Sequence, residues 1–110
     1  MLNPHDFREM ALALPGATEE PHFERTSFRV NKKIFATMDE KQKVVCLLLS
    51  PEDQDLFCLH DRTAIYAAPN KWGNNGATYA DLRSVRKSVL ADALKAAYLR
   101  IAPSKLAGLL

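Results

Sequence analysis

Residues Thr26 to Ser50 read TSFRV-NKK-IFATM-DEKQK-VVCLLLS, three short apolar runs separated by two polar turns. No other stretch restricts the chain as much. Asn and Asp accept the left-handed backbone that tight turns need, and lysine keeps a turn solvated. Phe, Val, Ile, Thr and Leu suit a pleated surface. The stretch therefore predicts an antiparallel meander, with turns at Asn31–Lys33 and Asp39–Lys43. In the first run Phe28 and Val30 share a face and Arg29 points the other way. In the second, strict alternation puts Ile34, Ala36 and Met38 on one face and Phe35 and Thr37 on the other. The third run, Val44 to Leu49, is apolar on both faces. That suits a central strand covered on both sides, or one side opened onto a partner.

The flanking segments read as helices and shorter strands. Asn3-Pro4 is an N-cap followed by proline at the first helical position, and Phe7, Met10, Ala11 and Leu14 recur at helical spacing. Pro15-Gly16 stops this helix, which covers Pro4 to Ala13. Ala17 to Phe23 is polar and contains Pro21, so it forms an edge strand or extended segment. Ser50-Pro51-Glu52-Asp53 starts a second helix, Pro51 to His60, with Leu56, Phe57, Cys58 and Leu59 on its apolar side. His60 falls where the helix dipole favours a cation. Thr63–Ala68 and Ala77–Leu82 read as strands, with a Gly/Asn loop at Asn70–Gly76 between them. A long helix opens at Ser84, with a stripe of Val85, Val89, Ala93, Ala97 and Ile101 flanked by Leu90 and Leu94. Pro103 ends it, and Ser104 caps a final turn. The fold class is α+β: one antiparallel sheet with helices packed on one face. Phe7, Leu14, Phe28, Ile34 or Phe35, Leu47, Val89 and Leu94 are the expected core.

At 110 residues the chain is read as one domain, 1–110, with a single core. No apolar run approaches the roughly 20 residues that span a bilayer, and the N-terminus lacks a signal layout, so the expected location is the cytoplasm. Cys46 and Cys58 form no Cys-x-x-Cys pair and read as small buried hydrophobes. Glu19, Glu20, His22 and Glu24 match no metal-ligand spacing and read as a charged edge that resists aggregation. There is no Gly-x-Ser-x-Gly, no His-Glu-x-x-His, no phosphate-binding loop and no cysteine with an evident histidine partner. We expect neither a metal, a cofactor nor an enzyme.

Charge is unevenly distributed. Through Asp61 there are 7 basic and 11 acidic residues, net −4, and from Arg62 onward 8 basic and 2 acidic, net +6. A basic segment points to an anionic partner. Arg83, Arg86 and Lys87 crowd the start of the long helix, where the dipole is already positive and cations are disfavoured until an anion arrives. Asn31-Lys32-Lys33, with Arg29 before it, offers cations on a small turn. Those lysines also serve simply to solvate it. Lys71 can meet a phosphate. Trp72 either stacks on a ligand or plugs the underside of the sheet.

The order α-β-β-β-β-α-β-β-α, with the segments LALPGATEEPHF, SFRVNKKIFATM, the apolar strand into LLLSPED, and PNKWGNNGATYADLRSVRKSVLADALKAAYLRIAPSKL, resembles the MmcQ/YjbR family of small bacterial proteins. The resemblance covers nearly the whole chain. Its most specific parts are Trp72-Gly73 with Thr78, and the helix end Ala97-Tyr98 with Ala102-Pro103. It implies a frataxin-like (CyaY-like) fold and DNA binding through a double wing of β-hairpins, with no catalytic residues. The DEKQK turn departs from that pattern in being mixed in charge rather than basic. The expectation is a weak, mainly phosphate-directed binder of duplex DNA using Arg29, Lys32, Lys33, Lys71, Trp72, Arg83, Arg86 and Lys87. The alternative is a protein- or small-ligand-binding module that uses the open sheet face. A homodimer is compatible with that face but is not what the sequence predicts. Frataxin-like iron handling does not fit, because the first helix carries only Asp6 and Glu9 as acids.

Overall fold

The computed structural model describes residues 1–110. The Thr26–Ser50 stretch forms strands β2 (Arg25–Val30), β3 (Lys33–Asp39) and β4 (Val44–Leu48), preceded by an edge strand β1 (Thr18–His22) that holds Pro21. Two further strands, β5 (Ile65–Ala67) and β6 (Ala77–Asp81), complete a six-stranded sheet of order β1-β2-β3-β4-β6-β5. Every neighbouring pair is antiparallel. Asn31 and Lys32 both have positive φ, 51° and 67°. That pair of left-handed residues makes the two-residue hairpin turn whose twist matches the strands it joins.

Helix α1 (Pro4–Leu12) begins with a capping box, in which Asn3 and Asp6 exchange side-chain-to-backbone hydrogen bonds. Helix α2 (Pro51–Cys58) is capped by the Ser50 hydroxyl, which accepts from the Asp53 N–H at 3.1 Å. Helix α4 (Lys87–Ile101) crosses β3 and β4, and short helices α3 (Asn70–Asn74) and α5 (Ser104–Ala107) complete the chain. No helix is long and apolar enough to cross a membrane.

The sequence reading of β3 needs one correction. Phe28 opposes Ala36, but Arg29 opposes Ile34, so Phe35 is one residue too many on β3. The bulge turns Phe35 onto the same face as Ala36 and Met38, and all three are fully buried. Ile34, which alternation assigned to the core, lies on the opposite face beside Arg29 and is half-buried. Phe35 meets Tyr98 of α4 edge-to-face, with ring centroids 5.6 Å apart. Phe7 of α1 meets Phe28 in the same way at 5.4 Å. The Tyr98 hydroxyl donates to the Pro15 carbonyl, tying α4 to the turn after α1.

Other elements shift for local reasons. The long helix opens at Lys87 rather than Ser84, because Asp81 first closes a turn by accepting from the Arg83 N–H at 2.9 Å. Its buried stripe is Leu90, Ala93, Leu94, Ala97 and Tyr98, and Val89 lies half-buried at the margin, as does Leu14 after α1. In α2 the inward residue is Gln54, while Leu56 and Leu59 are exposed. The expected Gly/Asn loop contains α3, and α5 is preceded by Pro103, with no side-chain cap from Ser104. His60 lies beyond the end of α2, its ring 6.4 Å from Phe57; its N–H bonds the Phe57 carbonyl at 3.2 Å, but its imidazole caps no carbonyl.

The bulge gives a direct test. Phe35→Ala should lower stability by about 3–5 kcal/mol, the loss for a fully buried phenylalanine. Ile34→Ala should cost only about 1–2 kcal/mol, since its side chain is half in solvent. Denaturant unfolding of the two variants checks this, and equal or reversed losses would contradict the assigned faces.

Candidate functional site

The helices cover one face of the sheet and leave the other open. Cross-strand register assigns the open face. It carries Glu20 and His22 on β1, Arg25, Ser27 and Arg29 on β2, and Ile34 and Thr37 on β3. Val44, Cys46 and Leu48 follow on β4, Ala77 and Tyr79 on β6, and Tyr66 on β5. The Val44–Leu49 run is thus apolar on both faces, and only Val45, Leu47 and Leu49 enter the core. Between the larger side chains lies an open basin of about 670 Å³. Ile34, Thr37, Cys46, Leu48 and Tyr79 line it from the sheet, and Phe23 and Trp72 from its borders.

Trp72 is 73% exposed, which overturns its reading as a plug beneath the sheet. It stands on α3, a helix too short to hold itself in place. Three contacts hold it. The Gln54 side-chain amide donates to the Gly73 carbonyl at 2.8 Å and to the Ala77 carbonyl at 3.0 Å. Gly73 presses so closely on the chain that a Cβ there would lie 1.7 Å from the Ala68 carbonyl oxygen. Gly76, at φ +106°, lets the chain turn into β6 against the Leu49 carbonyl. Lys71 and Trp72 are therefore displayed on a fixed turn.

The eight residues expected to meet DNA do not form one patch. Successive strand ends place the β2–β3 turn, the end of β4 and α3 at one end of the sheet. Lys32, Lys33, Lys71 and Trp72 lie there, all exposed, with Arg29 close by on the open face. Arg83, Arg86 and Lys87 lie at the opposite end, where Leu82 N–H bonds the Lys43 carbonyl. The two groups also differ in charge compensation. None of Lys32, Lys33 and Lys71 pairs with a carboxylate; at the other end Arg83 pairs with Asp81 at 3.2 Å, while Arg86 and Lys87 form no ion pair. Burial opposes ionisation of Asp81, but the Arg83 side chain and N–H outweigh it and hold the carboxyl below its usual range. Asp61 is held low mainly by the Thr63 hydroxyl and N–H, with the charge of Arg86 a smaller contribution. Arg29 is partly engaged: its Nε donates to the Ser27 hydroxyl at 3.0 Å and lies 3.6 Å from Glu20.

The remaining chemistry-bearing side chains lie apart. His5 faces Glu9 on α1, His22 ends β1, and His60 follows α2. No group of three His, Cys, Asp or Glu side chains is placed to hold a metal ion. Cys46 lies on the basin floor, where burial pushes its thiol up, partly opposed by the charge of Arg25.

Sequence reasoning missed Phe23, Arg25, Gln54 and Tyr79. Phe23 is 95% exposed with φ +59°, in the two-residue turn between β1 and β2. Nothing in its neighbours signals this, since Phe is rare in the left-handed region. Arg25 and Tyr79 were legible in principle, because alternation from Phe28 and Ala80 places them on the open face.

The YjbR family model matches residues 12–100. Among solved structures, a Deinococcus radiodurans protein, DR2400, described as a DUF419 domain, superposes with a TM-score of 0.79 at 21% identity. The match covers 96% of this chain and 82% of that one. No curated protein matches the chain.

The Gln54 clamp is testable through the single tryptophan. Gln54→Leu leaves the Gly73 and Ala77 carbonyls without their donor and should lower stability by about 1–3 kcal/mol. Trp72 should then show lower fluorescence anisotropy in the folded state, and unchanged anisotropy would mean that α3 is held without Gln54.

Proposed function

The chain belongs to the YjbR family, and from that premise we propose that it is a nucleic-acid-binding protein without a catalytic role, holding duplex DNA weakly and mainly by its phosphates. One observation carries the reading. Lys32, Lys33 and Lys71 are exposed, free of ion pairs and gathered at one end of the sheet beside the exposed Trp72. Unpaired lysines on fixed turns suit phosphate contacts, which position a protein without reading sequence. Arg83, which is paired with Asp81, and Arg86 and Lys87 beside it lie at the opposite end of the sheet and are secondary contacts in this reading.

The geometry also reshapes the double-wing idea. Successive turns of a meander fall at alternate ends of the sheet. The Phe23–Glu24 and Glu40–Lys43 turns therefore share the end away from Lys32, and they carry Glu24 and Glu40 against Lys41 and Lys43. At the lysine-rich end the partner of the β2–β3 turn is α3, not a second hairpin. The two wings of this reading are thus Asn31–Lys33 and Asn70–Asn74.

With about four phosphates contacted, log affinity for duplex should fall with log salt at a slope of about −3 to −4. The double change Lys32→Glu and Lys33→Glu should weaken binding to unrelated sequences by a common factor and leave the thermal transition intact. Arg86→Glu with Lys87→Glu should weaken it less. Fluorescence anisotropy of labelled duplex between about 50 and 200 mM salt reads all three. Absence of binding at the low-salt end, or indifference to the Lys32 and Lys33 changes, counts against the proposal.

A further inference from the structure

A duplex keeps its bases stacked inside and can offer the lysine-rich end little but phosphate, which leaves the adjoining basin unused. We propose that this basin receives unpaired nucleobases, so that the protein prefers single-stranded nucleic acid to duplex; the inference rests on the nucleic-acid reading above and sharpens it. The floor is built of small side chains, Thr37, Cys46 and Ala77. Larger groups rise around it, with Phe23 and Arg25 toward β2 and Trp72 and Tyr79 toward α3 and β6. Phe23 and Trp72, exposed by 95% and 73%, contribute little to the core, and both border this one basin. Every base has a π-face, so aromatic rings beside a cationic track bind single strands without reading sequence. Tyr66 extends the aromatic surface, its ring 6.0 Å from Tyr79 and perpendicular to it.

Size and charge favour a strand over other occupants. The 670 Å³ volume falls within the roughly 300–1,000 Å³ of ligand sites, yet the basin is open along the sheet instead of enclosing its occupant. A chain that runs through suits that shape better than a small molecule that must be mostly buried. Arg25 is exposed and pairs with no carboxylate, Glu24 is the one acid in the lining, and Arg29, Lys71, Lys32 and Lys33 add positive charge toward the other end of the basin. The phosphates of a strand complement that charge. A second copy of this chain would bring the same cations into the contact.

Trp72 is the only tryptophan, so its emission reports on the basin directly. The experiment titrates the protein with a mixed-sequence single strand of about 12 nucleotides, within the 4–16 of known single-strand sites, and with the duplex of the same sequence. The single strand should bind at least ten-fold tighter and quench Trp72. Phe23→Ala should weaken single-strand binding by roughly 5- to 150-fold, the range of one stacking contact, and leave duplex affinity nearly unchanged, and Trp72→Ala, read by anisotropy of a labelled strand, should weaken single-strand binding by a similar factor. Both side chains are exposed, so both variants should melt like the parent. Equal affinities, a silent Trp72 and unaffected variants would overturn the basin proposal while leaving the duplex reading intact. If neither nucleic acid binds, both fall. A doubled mass in sedimentation that Phe23→Ala returns to monomer would assign the basin to a second copy instead.

Discussion

The single extra residue on β3 decides how the two faces of the sheet are used. Without it, Phe35 would point away from the helices and Ile34 would take its place. With it, Phe35 and Ala36 both enter the core, and Phe35 meets Tyr98 edge-on. Such aromatic pairs add about 0.5–1.5 kcal/mol beyond the area they bury. Tyr98 in turn holds the Pro15 carbonyl, so one contact chain runs from the middle of β3 through α4 to the end of α1. The same bulge sets Ile34 beside Arg29 on the open face, where it becomes part of the basin wall.

The open face follows from what the helices leave uncovered. α1, α2 and α4 crowd one side, and the core they close counts 21 buried residues, enough to include all of Phe7, Phe28, Phe35 and Tyr98. On the other side Thr37, Cys46 and Ala77 are small, so the sheet surface is hollow between its larger neighbours. Gln54 links the two sides. It is polar, buried within α2, and spends its amide on the carbonyls that fix α3. The core thus positions Trp72 at the edge of the hollow, although Trp72 itself adds nothing to the core.

Much of this was legible in the residues. The meander, both helix caps at Asn3 and Ser50, the edge strand with Pro21 and the doubly apolar β4 all follow from local chemistry. The bulge was not legible, because alternation carries no mark of an inserted residue and IFATM fits either register. The inward turn of Gln54 was hidden for a related reason. Leu56 and Leu59 are more apolar, and only the carbonyls of α3, distant in sequence, make a buried amide favourable there. The exposure of Trp72 was unreadable because a five-residue helix owes its position to tertiary contacts and not to its own sequence. Basic residues were found by counting. Their division between two ends of the sheet required the strand order.

The central claim is that the open face and its lysine-rich end act together as one contact surface for nucleic acid. Amide NMR spectra recorded during titration with a short single strand test it residue by residue. The account predicts that the largest shifts fall on Phe23, Arg25, Ile34, Thr37, Cys46, Tyr79 and the Lys71–Trp72 turn, with smaller ones at Asn31–Lys33, while α1 and the Leu90–Ile101 part of α4 stay still. Shifts concentrated at Arg83–Lys87, with the open face unmoved, would contradict it.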